Sequence, residues 1–204
     1  RMEAFIRGAH RGRVHPGGPG TLEEILTLLA LKAMPENQDI PFPLDLVERQ
    51  EGDYFKGIVQ FLKTCFGNDL DELYTLFQGT PKDYAAYVVD TTPRLPMRYL
   101  WNDDWVFDRK LQLPFEVSFE AMESLDLTRD QPVFDLLVNL RRFFSAIVHI
   151  SVKDLDMLDA WGDDRPLIHG DKEILLAMDE LVRRLERQQR IHPNTKYARP
   201  YRIA

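Results

Sequence analysis

The densest group of chemistry-bearing residues is WNDDWVFD, over 101–108, where Asp103, Asp104 and Asp108 stand beside Trp101 and Trp105. Paired carboxylates next to aromatic rings could serve as the acid and base of a glycosidase-like hydrolysis, given the right separation. The same rings could form a recognition surface, because Trp is enriched at interface hot spots, or pin the loop to its own body. A small-molecule site, if the chain has one, is expected here. The acidic stretch Asp154, Asp156, Asp159, Asp163, Asp164 also offers oxygen ligands. A calcium loop counted from Asp154 would need a ligand and then a glycine where Leu158 and Asp159 stand, so the stretch reads as a solvated face.

The histidines His10, His15, His149, His169 and His192 are scattered, with none at the spacing of a zinc helix. Cys65 lies among aromatic residues and reads as a small buried hydrophobe. No serine sits in a GxSxG elbow, and no metal or cofactor is expected. Glycines 17, 18 and 20 suggest a phosphate loop, but GxxxxGK[ST] is absent and no strand is predicted before them. They are therefore read as a flexible linker. Ile168-His169-Gly170-Asp171 resembles the HGD catalytic loop of aminoglycoside-phosphotransferase-like kinases over these four residues. That family places a metal-binding Asn five positions past the Asp, where this chain has Leu176, so Asp171 is read as a helix cap.

The C-terminal end is the most suggestive surface. Arg183, Arg184, Arg187 and Arg190 close a helix, and Lys196, Arg199 and Arg202 follow, interleaved with Tyr197 and Tyr201. Guanidinium and aromatic groups in this mixture could contact phosphates and stack on bases. They could equally complement a helix dipole and solubilise a tail.

The net charge of −7 hides a division along the chain. Residues 1–20 carry four Arg against one Glu, and residues 183–204 carry six Arg and one Lys against one Glu. The stretch between holds 15 basic and 31 acidic residues. An acidic body repels nucleic acid, while basic ends could engage an acidic partner or the body itself. With 44% apolar residues and 204 positions, one globular domain with appendages, or at most two small ones, is expected. A single cysteine excludes an internal disulfide and mildly favours a reducing compartment, so an intracellular, cytoplasmic setting is expected. No apolar run is long enough for a membrane span.

These residues must be positioned by helices, on the periodicity. A central helix over about 132–151 presents a broad apolar arc that includes Leu136, Leu140, Phe143, Phe144 and Ile147, so neighbours should cover most of it. Arg141 falls inside that arc, and an internal carboxylate partner is expected for it. Further helices are predicted from Thr21, with Thr21 and Glu24 as a capping box, to Met34; over 54–66 behind Asp53; over 70–78; over 81–89 behind Thr80; over 153–161; and from Asp171 to about Gln189. Leu111, Leu113, Phe115, Val117 and Phe119 alternate and suggest one small hairpin near 105–118.

The resulting expectation is a mainly α protein: a basic Gly/Pro-rich arm over 1–20, an acidic helical body over 21–182, and a basic helix end with an irregular tail over 183–204. Its function is read as a non-enzymatic protein-interaction module, a subunit or accessory factor of a larger assembly. The alternatives are a nucleic-acid-associated protein using the basic C-terminal end, and an enzyme with an acidic site at 101–108.

Overall fold

A computed structural model describes residues 2–92, 105–150, 156–191 and 197–203. The architecture is α/β, with two parallel three-stranded sheets among the described residues, and not the mainly α body that the periodicity predicts. The first sheet comprises β1 (Gly12–Val14), β2 (Leu44–Glu48) and β3 (Thr75–Gln78), in that order. Its register sets Val14 opposite Leu46, and Leu46 opposite Leu76. Helix α1 (Met2–Gly8) precedes it; α2 (Pro19–Ala33) joins β1 to β2, α3 (Tyr54–Phe66) joins β2 to β3, and α4 (Pro81–Thr91) leaves β3.

The second half adds α5 (Arg109–Gln112), α6 (Phe119–Glu123), β4 (Asp126–Leu127), α7 (Val133–Val148), α8 (Met157–Trp161), β5 (Leu167–Gly170), α9 (Lys172–Arg187) and β6 (Arg202–Ile203). Strands β4, β5 and β6 form the second sheet in that order. Parallel neighbours cannot be joined by a tight turn, so each crossover carries a helix, giving the strand–helix–strand repeat of the Rossmann type.

The helical expectations fare best where local signals are strong. Helix α3 spans 54–66 and stops at Gly67, whose φ of 61° is the left-handed conformation glycine adopts freely. At α4, Thr80 accepts from the Asp83 N–H while Asp83 accepts from the Thr80 N–H, a complete capping box behind Pro81. Helix α7 buries Leu136, Leu140, Phe143, Phe144 and Ile147 and packs against α2, and α3 packs against α9. The rings of Phe61 and Phe144 meet edge-on at 5.8 Å, and those of Phe143 and Tyr201 at 5.3 Å. Arg141 finds its carboxylate, Glu23 on α2, at 3.8 Å, and donates to the carbonyls of Lys110 and Leu113.

The strand expectations need correction. All five residues of β2 are buried, so its sequence shows none of the alternation that marks a half-exposed strand. The helix predicted over 70–78 is instead a turn followed by β3, which exists through its pairing with β2. The hairpin near 105–118 is absent. Asp108 caps α5 by accepting from the Lys110 N–H at 2.6 Å, and the alternating apolar residues run over the end of that helix and irregular chain beyond it. Residues 2–20 are likewise not a free arm, since they hold α1, β1 and the start of α2. The tail closes as β6 beside β5. Among the described residues no helix is long and apolar enough to cross a membrane.

Candidate active site at the glycine loop

Strand β1 ends at Val14, and His15-Pro16-Gly17-Gly18 turns the chain into α2, whose first residue is Pro19. The N-cap is Gly18, and no side chain caps the helix. This replaces the expected Thr21–Glu24 capping box, because the helix begins two residues before Thr21 with Pro in its first turn. The first N–H groups of a helix have no partner within it and carry the positive end of its dipole. An uncapped helix start at the carboxyl end of a parallel strand is a ready place for an anion.

Space, not backbone strain, dictates the glycines. Gly18 has φ −105° and ψ −161°, an extended conformation open to any residue. A Cβ on Gly18 would lie 2.5 Å from the Arg190 carbonyl oxygen, and one on Gly17 would lie 2.0 Å from Thr21 Oγ1. The loop is thus pressed between its own helix and the chain leaving α9.

A cleft of about 780 Å³ opens beside the loop, along the ends of β2 and β3 and the starts of α3 and α4. Arg13, His15, Arg49 and Arg190 line it, with Tyr54 and Thr80. Its two carboxylates are already engaged. Glu48 accepts from the Tyr54 N–H at 3.1 Å and from Gln78 Nε2 at 2.9 Å, serving the start of α3 and the neighbouring strand. Asp53 accepts from Arg184 Nη2 at 3.0 Å and from Gln188 Nε2 at 2.9 Å. Among the described residues Arg13 and Arg49 form no ion pair, so the cleft keeps positive charge. Tyr54 is 4% exposed, and burial pushes its phenol pKa up.

On the other side of β1 lies a hollow of about 320 Å³, which Arg13 and His15 also line, together with Arg11, Thr21, Phe42 and Glu24. Glu24 is the carboxylate among its lining residues and stands one turn into α2 from the loop. Behind the hollow, Asp45 on β2 is fully buried. It pairs with Arg11 and accepts from the Tyr84 hydroxyl at 2.7 Å. Burial and the Asp45 hydrogen bond push the Tyr84 pKa up to about 12. Arg11 also donates to Thr91 and Thr92, so this network ties the entry of β1 to β2 and α4.

The residues singled out in the sequence lie elsewhere or act differently. Trp101, Asp103, Asp104 and Lys196 fall outside the described residues. Trp105 is 3% exposed and meets the Phe42 ring edge-on, so it belongs to the core. Most of the basic C-terminal end is spent on carboxylates of its own chain. Asp179 takes Arg183 at 3.0 Å and Arg199 at 2.9 Å, Glu180 takes Arg187, and Asp164 takes Arg202 at 3.1 Å. Arg184 holds Asp53, while Tyr201 is buried and donates to the Leu175 carbonyl at 3.0 Å. Tyr197 is buried beneath the Arg183 guanidinium. Among the described residues of this end, Gln188 and Arg190 line the cleft, Arg190 also meets the loop, and Arg184 pairs with the lining residue Asp53. The sequence reading missed the loop itself. Its signal was the Gly/Pro run leading straight into a strongly apolar helix, hidden because a strand of three residues is too short to announce itself.

Fold and site together define an α/β protein with an anion-receptive loop at the carboxyl ends of its parallel strands. Residues 87–204 match the family described as pyrimidine/purine nucleotide monophosphate nucleosidase, C-terminal, and residues 1–72 match one described as possible lysine decarboxylase. The pyrimidine/purine nucleotide 5'-monophosphate nucleosidase of Escherichia coli strain K12 is 34% identical over 214 residues, covering 100% of this chain and 47% of the relative. The protein of the same description from strain O157:H7 matches equally. The chain belongs to the pyrimidine/purine nucleotide monophosphate nucleosidase family and spans about half the length of the curated relatives it matches. Membership in a family described by an enzyme activity overturns the reading as a non-enzymatic accessory subunit of an assembly. It also displaces the nucleic-acid alternative, whose arginines are held largely within the chain. Of the three expectations the enzyme fits better; residues 101–104 of the acidic site expected for it lie outside the described residues, which offer the glycine loop as a candidate instead.

Proposed function

We propose that this chain carries the phosphate-holding face of a nucleosidase that hydrolyses the N-glycosidic bond of nucleoside 5'-monophosphates. The observation that carries the reading is the glycine loop opening onto the uncapped start of α2, in a chain of this family. The 5'-phosphate would rest on the backbone N–H groups of the loop, with Arg13 and His15 beside it. Glu24 would face the ribose from the adjoining hollow.

In this reaction water attacks C1', the bond from C1' to the base nitrogen breaks, and the base leaves with a proton. The transition state places positive charge on the sugar, which a carboxylate stabilises while it orients the water and takes its proton. Among the described residues the lining of the cleft and hollow includes no lysine, the amine that the Schiff-base chemistry of an amino-acid decarboxylase uses. Nucleotide substrates also accord with an intracellular setting.

The test is to incubate the full-length protein with purine and pyrimidine nucleoside monophosphates and follow free base and ribose 5-phosphate by chromatography. Release of both products, falling by about 100-fold or more in Glu24→Gln while nucleotide still binds, is the expected result. Intact nucleotides after prolonged incubation would sink the proposal.

A further inference from the structure

The exit of α9 supplies a second relationship with the loop, one that lies outside the reacting groups. Arg190 donates from Nη1 to the Pro16 carbonyl at 3.2 Å, and its own carbonyl packs against Gly18. Its guanidinium also sits over the Tyr54 ring, 5.5 Å from the centroid. A trans peptide is planar, with its C=O and N–H pointing in opposite directions. Holding the Pro16 oxygen therefore fixes the direction of the Gly17 N–H, one of the groups that would meet a phosphate.

The backbone that delivers Arg190 is itself unusual. The Arg190 N–H bonds the Leu185 carbonyl and the Gln189 N–H bonds the Glu186 carbonyl, both at 2.8 Å, which is the Schellman ending of a helix. The left-handed position of that motif is normally glycine, yet here it is Gln189, at φ 56°, the sole non-glycine residue with positive φ among the described residues. Two neighbours brace the same turn, since Arg184 and Gln188 both donate to Asp53 at the start of α3.

We propose that the exit turn of α9 is a clamp on the glycine loop, with Arg190 as its positioning residue. The stretch that matches the nucleosidase C-terminal family thereby shapes the phosphate end of a site built by the first strands and helices. The inference rests on the reading of the loop as a phosphate holder, and its test separates the two.

Inorganic phosphate is titrated calorimetrically into the full-length protein and into Arg190→Ala and Arg190→Lys. Amide exchange is followed at residues 16–21, and nucleotide hydrolysis is assayed separately. The clamp requires phosphate affinity to fall at least about fivefold in Arg190→Ala, with faster exchange confined to the loop, and Arg190→Lys to recover most of both. If Arg190→Ala does not fold, Arg190→Gln, which keeps length and loses charge, makes the same comparison. Unchanged phosphate affinity in the variant, or no phosphate binding by the unsubstituted protein, overturns the clamp. Weakened phosphate binding in a protein that hydrolyses no nucleotide leaves the clamp standing and removes the nucleosidase reading.

Discussion

Gly18 and Arg190, 172 positions apart in the chain, are in contact such that a methyl group on the first would lie 2.5 Å from the carbonyl oxygen of the second. Backbone cannot rotate out of the way as a side-chain tip can. Gly18→Ala therefore has to displace the loop, the α9 exit, or both. We expect a loss of about 1–3 kcal/mol in urea unfolding, together with weaker nucleotide binding by calorimetry. A variant as stable as the parent would show that this contact is slack.

Gln189 holds a left-handed conformation that costs an L residue about 1 kcal/mol relative to glycine. Replacing it with glycine keeps the helix ending and removes the strain. Gln189→Gly should raise the thermal midpoint by roughly 2–4 °C for a protein of this size, read by calorimetry. A lowered midpoint would mean that the Gln189 side chain contributes contacts outweighing the strain.

Asp45 is the acceptor for Arg11 and for two tyrosine hydroxyls, Tyr84 at 2.7 Å and Tyr87 at 3.4 Å, with no exposure to water. Removing a carboxylate of this kind leaves a cation and hydroxyl groups without their partner. Asp45→Ala should cost about 3–5 kcal/mol in denaturant unfolding. The double variant Asp45→Ala, Arg11→Met should recover part of it, because the stranded charge is gone.

Lys32, on the inner side of α2, donates to the Phe42 carbonyl, and burial lowers its pKa from 10.5 to about 8, with Asp45 opposing the shift. Between those two values the unfolded chain binds the proton and the folded chain releases it, so stability rises with pH across that window. Solvent screening of a partly exposed amine limits the rise to about 1–2 kcal/mol. Burial raises the Cys65 thiol from its ordinary 9.0 and the Tyr84 phenol from 10, and both act oppositely above those values, so the informative range is pH 8–9. Denaturant unfolding across that range should show the rise in the parent and its absence in Lys32→Met. Parallel pH profiles for the two proteins would contradict the assignment.

The sequence by itself determined the helices whose signals are local. Gly67 ends α3 because its own backbone takes a positive φ, and Thr80 starts α4 through bonds to a residue three positions on. The broad apolar arc of α7 announced a covered helix, and the carboxylate that Arg141 needed could be anticipated from the cost of burying a lone charge. None of these features requires knowledge of distant chain.

Tertiary structure decided the sheets and the site. Strands of two to five residues are too short to show a period, β2 is buried throughout and so does not alternate, and Thr75–Gln78 becomes a strand only because β2 lies beside it. The glycine loop looked like a linker for the same reason, since the strand that gives it meaning is Gly12–Val14 paired to residues more than thirty positions away. The basic ends looked free because charge is read along the chain, whereas Asp179, Asp53 and Glu180 meet those arginines in space. Propensity and capping act over a few residues and are written locally. Strand pairing, ion pairing and the crowding that demands glycine at position 18 depend on which distant segments the fold brings into contact.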